Sequence, residues 1–168
     1  ALRAPMADDL RELIATFKIS GVVERIGDYA KNIAKRVPLV TQTHRLRPIS
    51  LLPSMSKIAS ELVRDSLDAF ARRDAELAME VNRRDQIVDD FYNSIFRAVI
   101  THMIENPKDI GEAAHLLFIA KNLERIGDHA TNVAEMVYFA ATGEPMPERT
   151  RGENPTTPLD DALSDGAD

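Results

Sequence analysis

ERIGDYAKNIA, from Glu24 to Ala34, returns as ERIGDHATNVA from Glu124 to Ala134, an offset of 100 residues. Eight of the eleven paired positions are identical, and a repeat of this length indicates a duplicated structural unit. Apolar residues around each copy recur at the helical period, which predicts that each copy lies within one long helix.

Each copy carries a row of polar residues spaced four apart, which places them along one side of the helix. The rows are Glu24, Asp28 and Asn32 in the first copy and Glu124, Asp128 and Asn132 in the second. On the helical wheel each row lies roughly opposite an apolar stripe that includes Ile19, Ile26 and Ile33 in the first copy. We therefore expect the rows to face water, a ligand or a partner rather than the core.

Two interpretations of the rows are open. Charged faces that are simply solvated are common on helices. Alternatively, carboxylates one turn apart lie about 5–6 Å from each other, and a bound cation relieves their repulsion. Gly27 and Gly127 favour a close approach to the backbone, by a ligand or by a neighbouring helix, because a glycine inside a helix costs about 1 kcal/mol relative to alanine.

The composition is that of a soluble helical protein. Charged residues make up 29% and hydrophobic residues 44% of the 168 residues, which is ordinary for a globular domain. Aromatic residues make up only 5%, and tryptophan is absent, which favours helices over a β-sandwich. Cysteine is also absent, so any metal must be held by oxygen or imidazole ligands.

Charge and hydropathy narrow the possible partners and the location. The net charge is −6 without a block of lysine and arginine, which disfavours nucleic acid as a partner. No apolar run approaches the ~20 residues of a membrane span, so direct membrane insertion is not expected. No signal-peptide pattern is visible, and we expect a cytoplasmic protein.

Proline, glycine and capping residues divide the chain into helices. The pattern predicts helices over residues 5–37, 54–73, 75–105 and 107–141, with Pro38 ending the first, Asp74 as an N-cap and Gly143 after the last. The predicted divisions are 1–37, a linker at 38–53, a helical unit at 54–143 and a disordered acidic tail at 144–168. The three helices joined by tight turns in the third division predict a three-helix bundle.

Asp85 and Asp89 form a further i,i+4 carboxylate pair on the long middle helix of that bundle. They lie at the edge of its apolar stripe and so point toward a neighbouring helix. The bundle can bring them beside Glu124 and Asp128, where converging carboxylates would need cations to neutralise them. The alternative is pairing of the acids on this helix with nearby arginines, such as Glu80 with Arg84.

The doubled motif resembles the PhoU family of phosphate-specific transport system accessory proteins. RAPMADDLR, from Arg3 to Arg11, and LLFIAKNL, from Leu116 to Leu123, agree with it, and the resemblance covers about residues 1–146. It implies an all-α fold of PhoU-like three-helix bundle repeats, with one complete bundle at about 54–142. Helix 5–37 would then be the third helix of a truncated first bundle. Its apolar stripe would then lack its native partners and would pack on the complete bundle, pack on another copy of the chain, or remain exposed. We expect self-association, as a homodimer.

The resemblance also implies a function by binding rather than turnover. It implies negative regulation of phosphate uptake and of the phosphate-starvation (Pho) response, through binding to the phosphate ABC transporter ATPase and a phosphate sensor histidine kinase. PhoU relatives hold multinuclear transition-metal clusters through Glu/Asp-x-x-x-Asp motifs, with iron as the first expectation and zinc or nickel as alternatives. By position, the implied ligands are Asp85, Asp89, Glu124 and Asp128 in the complete repeat and Glu24 and Asp28 in the truncated one. Asn32 and Asn132 would ligate weakly or orient the carboxylates.

Two other functions fit parts of the sequence. A ferritin-like di-iron oxidase needs two Glu-x-x-His motifs, and only Glu112 to His115 matches. His115 also falls on the apolar stripe, where we expect a hydrogen-bonded core histidine. A metal-independent helical scaffold would present the acidic rows to a basic partner. Since no phosphate loop, Ser/His/Asp set or zinc-protease motif is present, we do not expect an enzyme.

Overall fold

Four long α-helices account for most of residues 7–40 and 50–147, the part of the chain that the computed structural model describes. The helices are α1 (Ala7–Val40), α2 (Leu52–Arg72), α3 (Ala75–Glu105) and α4 (Ile110–Thr142), with a short 3-10 turn at Pro107–Asp109 before α4. Because the described residues contain no strand, the predicted all-α class is confirmed.

Helices α2, α3 and α4 pack against one another around a shared aliphatic core. The largest fully buried side chains come from all three: Met55 and Leu62 of α2, Val81, Val88, Ile95 and Val99 of α3, and Leu116, Val133 and Val137 of α4. Burying one such side chain contributes about 1.5–3 kcal/mol. This core therefore holds α3 and α4 at a fixed spacing, and the candidate site lies at the seam between them.

Local residues set the ends of these helices. The Asp74 side chain accepts a hydrogen bond from the Leu77 backbone N–H at 2.9 Å, so the predicted N-cap of α3 is confirmed. Gly143 has φ +79° and donates its N–H to the Phe139 carbonyl, as predicted for the end of α4. Helix α2 begins before Pro53, which was expected in the linker, because proline fits the first turn of a helix.

The predicted end of α1 at Pro38 is wrong, since the helix continues to Val40. A proline this close to the end removes only the bond from its own position to the Ala34 carbonyl. Val40 is only 4% exposed, and its burial helps to offset the missing bond. Helix α1 therefore ends three residues beyond the predicted position.

Helix α1 packs mainly against α4 and runs antiparallel to it. Near its start, the Arg11 guanidinium lies beside Gly143, and near its end Arg36 lies over the Phe118 ring at 4.7 Å. Between these ends, the rings of Tyr29 and His129 meet edge to face with centroids 5.1 Å apart. These two residues are the central residues of the two motif copies, so the middle of the first copy contacts the middle of the second.

The two apolar sides of α1 have different environments. The predicted stripe packs toward α4, with Ile19 buried and Ile26 and Ile33 partly buried against the core. A second set of apolar residues near the start of α1 remains exposed, with Leu13 at 64% and Phe17 at 82% exposure. Helix α1 thus buries the predicted stripe and leaves a second apolar face, near its start, exposed.

Several predictions concern residues outside the described ranges. Most of the predicted linker, at 41–49, and the acidic tail from residue 148 onward lie there. The four-part division of the chain stays a prediction. Among the described helices, none has the length and apolarity that crossing a membrane requires.

Candidate metal centre

Three aspartates from two helices converge at the seam between α3 and α4. Asp85 and Asp89 come from α3 and Asp128 from α4, and one carboxylate oxygen of each lies within 4.8 Å of the others. Asp85 is only 2% exposed, and the other two are half-buried. The structure therefore brings together three of the four acids that we expected to meet here, which we call the seam aspartates.

Gly127 permits this close approach of the two helices. A Cβ added at Gly127 would lie 2.7 Å from Asp85 Oδ1 and 3.4 Å from Val88 Cγ1. Gly127 is thus explained by the neighbouring helix, which was one of the two possibilities left open. In the first copy, a Cβ at Gly27 would meet no described atom within 4 Å, so the same glycine has open space beside it there.

Glu124 lies beside the seam aspartates but is held by a lysine. Its Oε1 accepts a hydrogen bond from Lys121 Nζ at 2.6 Å, while its Oε2 is buried without a hydrogen-bond partner in the described structure. Burial raises the pKa of the Glu124 carboxyl, the Lys121 hydrogen bond lowers it, and the charges of Asp128 and Asp89 raise it further. The net effect is a raised pKa of Glu124, with burial as its largest cause.

The family model described as the PhoU domain matches residues 1–37 and 52–137. The chain belongs to the PhoU family. It is 58% identical over 154 residues to the PhoU homolog of Zymomonas mobilis, covering 92% of this chain and 65% of that protein. It is 47% identical to the PhoU homolog of Caulobacter vibrioides, covering 87% of this chain and 64% of the relative. The chain thus spans slightly less than two thirds of both relatives.

Crystal structures of PhoU proteins share the fold. The PhoU of Pseudomonas aeruginosa superposes with a TM-score of 0.79 at 37% identity, over 84% of this chain and 68% of that one. The phosphate transport system regulatory protein PhoU of Streptococcus pneumoniae gives 0.76 at 27% identity, over 86% and 68%. The expected PhoU-like helical fold is therefore confirmed.

The two PhoU motif copies differ in what surrounds them. In the first copy, Glu24 and Asp28 are exposed on α1, and neither belongs to a cluster of potential metal ligands among the described residues. That the second row faces a ligand or a partner stays a prediction, and there Glu124 and Asp128 are half-buried beside acids of α3 rather than exposed. The reason is that α4 contacts all three other helices, whereas α1 packs mainly against one.

The two asparagines of the PhoU motif have different environments. Asn32 is half-buried, and its backbone carbonyl accepts a hydrogen bond from Arg36 at 3.3 Å. Asn132 is exposed one turn beyond Asp128. Their role in ligating or orienting carboxylates stays a prediction.

The arginine pairing on α3 that was left open as an alternative differs in its partners. Arg84 reaches across to α2, where it binds Asp65 at 2.6 Å and Glu61 at 2.9 Å. Glu80 instead pairs with Arg83 at 2.6 Å. Arg84 faces α2 because two carboxylates on that helix together provide a stronger partner than one exposed glutamate.

The single Glu-x-x-His motif does not join the seam. His115 lies nine residues before Glu124, a rise of about 14 Å along α4, which is too far for both to bind one ion. His115 is half-buried, and in the described structure neither its Nδ1 nor Glu112 Oε2 has a hydrogen-bond partner. The expectation of a hydrogen-bonded core histidine is therefore wrong.

The seam aspartates fit the donor set of a hard cation. Oxygens that bind one ion lie within about twice the metal–oxygen distance, roughly 4.0–5.2 Å. The seam oxygens lie within 4.8 Å of one another, which meets the limit for the longer metal–oxygen distances. All donors are carboxylate oxygens, whereas zinc and nickel sites in proteins generally include nitrogen or sulfur. An oxygen-only donor set suits Mg²⁺, Ca²⁺ and Mn²⁺ as a class, and iron as the bound metal stays a prediction.

Sequence reasoning missed Lys121 and Tyr92. The Lys121 ammonium lies 5.0 Å from the centroid of the Tyr92 ring of α3 while it binds Glu124. The i,i+3 spacing of Lys121 and Glu124 was a signal that could have revealed half of this arrangement. The Tyr92 contact depends on how α3 and α4 pack, which the spacing alone does not give.

Proposed function

We propose that this chain acts as a regulatory adaptor in phosphate transport. In this role it is a negative regulator of phosphate uptake and of the Pho response, and it works in the cytoplasm by binding the phosphate ABC transporter ATPase and a sensor histidine kinase. Membership of the PhoU family is the observation that carries this proposal. The name of the Zymomonas relative, a phosphate-specific transport system accessory protein homolog, supports it.

The proposed mechanism is binding through a helical surface whose α3–α4 seam would hold iron. Asp85, Asp89 and Asp128 would be its ligands, with Glu124 as a further ligand. A bound cation would neutralise the carboxylates and link α3 to α4. The protein groups fix the spacing, because Gly127 lets Asp85 approach α4 and the aliphatic core keeps the helices together.

The exposed apolar face of α1 supports self-association as a homodimer. Leu13 and Phe17 are exposed by 64% and 82%, and Leu10 and Ile14 are about half exposed. Residues at this spacing share one face of a helix. Large exposed apolar patches mark interaction sites, and in a solution of this chain alone the partner would be a second copy.

Co-purification with defined partners tests the adaptor function. The tagged chain is mixed with purified transporter ATPase, or with the cytoplasmic part of the histidine kinase, in the presence of ferrous iron or of a chelator. Retention of either partner supports the proposal, and loss of both contradicts it.

Two doubly substituted proteins separate the contribution of the seam. The seam variant carries Asp85→Asn and Asp128→Asn, and the first-copy control carries Glu24→Gln and Asp28→Asn. Both remove two negative charges, so a defect confined to the seam variant points to the metal and not to net charge. Equal retention by both variants and in chelator would favour the metal-independent scaffold, and oxygen consumption with ferrous iron would favour the oxidase.

A further inference from the structure

Lys121 places a positive charge at the edge of the carboxylate cluster. Its Nζ donates to Glu124 Oε1 at 2.6 Å and lies 5.0 Å from the centre of the Tyr92 ring. The lysine side chain is 42% exposed, whereas Glu124 is only 14% exposed. The ammonium therefore reaches from the solvent side and contacts a carboxylate that is largely buried.

The position of Lys121 explains how this part of the seam is neutralised when no metal is bound. The charges of Asp128 and Asp89 destabilise the ionised Glu124 carboxylate, and Lys121 stabilises it. Tyr92 supplies the negative face of an aromatic ring, which attracts an ammonium group. The ring thus keeps the lysine near the cluster while the Glu124 carboxylate binds it.

We propose that Lys121 is a tethered counter-cation that competes with the metal for Glu124 and so sets the affinity of the seam for cations. This inference rests on the proposed cation binding by the seam aspartates. A cation that takes Glu124 as a ligand competes with the ammonium for the charge of one carboxylate, even where it binds Oε2 and Lys121 keeps Oε1. Two positive charges held a few ångströms apart also repel each other strongly at the low effective dielectric of a half-buried site.

The duplicated motif supports a separate role for the lysine. The residue equivalent to Lys121 in the first copy is Gly21, so the lysine is not part of the repeated sequence. It occurs in the copy whose acidic row is half-buried and faces other carboxylates, and it is absent where the row is exposed. A counter-cation is needed only in the second copy, where the acidic residues are half-buried.

The test uses manganese(II) as the probe, because it prefers oxygen ligands and is stable in air. The full chain is stripped of metal, and manganese binding is measured by calorimetry for the wild type, Lys121→Gln and Lys121→Arg. We expect Lys121→Gln to bind manganese at least about tenfold more tightly than the wild type, because removing a nearby like charge favours the cation. Lys121→Arg keeps the charge and should bind as the wild type does.

A second measurement needs no metal. Thermal unfolding of the stripped protein should show a lower melting temperature for Lys121→Gln than for the wild type, because Glu124 loses its counter-cation. Adding Glu124→Gln to Lys121→Gln should restore part of the loss, since the charge that needed the lysine is gone. Unchanged melting in Lys121→Gln would overturn the role of Lys121 as counter-cation.

The possible outcomes distinguish failure of the competition by Lys121 from failure of the proposed metal site. If the wild type binds manganese and Lys121→Gln binds it equally or more weakly, the competition by Lys121 is refuted while the metal site stands. If the wild type, Lys121→Gln and Lys121→Arg all fail to bind, both the metal site and the competition are refuted.

Discussion

Gly127→Ala and Gly27→Ala make the same chemical change in two copies of one motif, and we expect opposite effects on stability. Alanine is more favourable than glycine inside a helix by about 1 kcal/mol. At Gly27 the new methyl group meets no described atom within 4 Å, so the whole gain should appear. Gly27→Ala should therefore raise the free energy of unfolding by about 1 kcal/mol, or the melting temperature by roughly 2–4 °C.

At Gly127 the same gain is opposed by a clash. The added Cβ would lie 2.7 Å from Asp85 Oδ1 and 3.4 Å from Val88 Cγ1, and Asp85 is buried, so its carboxylate has little room to move. Overpacking of this kind costs about 1–3 kcal/mol. The two alanine variants should therefore differ in free energy of unfolding by about 1–3 kcal/mol, with Gly127→Ala the less stable.

Urea unfolding of the metal-free proteins, followed by circular dichroism at a helical wavelength, measures this difference. Subtracting one variant from the other cancels the shared helix propensity and leaves the cost of the seam clash. Equal stabilisation by both substitutions would refute the conclusion that Gly127 is required by the approach of Asp85. Gly127→Ala should also weaken manganese binding, because Asp85 Oδ1 must shift, whereas Gly27→Ala should leave it unchanged.

Three further substitutions test other parts of the account. Phe17→Ser should shift the chain toward monomer in sedimentation, because the ring is 82% exposed and available to a second copy; an unchanged oligomeric state would contradict the role of the α1 face. Asp74→Ala should lower the free energy of unfolding by about 1 kcal/mol, because the cap bond to the Leu77 N–H is lost, and no loss in urea unfolding would argue against that cap. Burial, together with Asp128 and Asp89, raises the pKa of Glu124 above its ordinary 4.5, so the folded state binds this proton more tightly than the unfolded chain. Glu124→Gln should therefore stabilise the metal-free protein most above the raised pKa, with the gain disappearing as the pH falls below 4.5; a gain that persists at low pH would exclude this cause.

Local chemistry made the helices and most of their ends predictable. Asp74 and Gly143 act through bonds to residues within a few positions, so the sequence alone specifies them. Pro53 was misplaced because proline fits the first turn of a helix as well as a linker. Pro38 was misplaced because a proline in the last turn removes only one helical hydrogen bond, which the burial of Val40 helps to offset.

The candidate site was predictable as a set of acids but not as a geometry. The i,i+4 spacing of Asp85 and Asp89 and the duplicated Glu-x-x-x-Asp pointed to the residues. Which copy becomes buried depends on how many helices surround it. The two copies have nearly the same sequence, so the motif alone does not predict this number. Glu124 was expected among the ligands, but its bond to Lys121 could be assigned only once the side chains were placed.

Metal content is the measurement that tests the central claim most directly. The wild type, the seam variant and the first-copy control are purified without chelator and without an affinity metal, and their metal is determined by elemental analysis. The account predicts iron bound in the wild type and in the control and lost from the seam variant. Metal-free wild type, or equal metal in all three proteins, would contradict it.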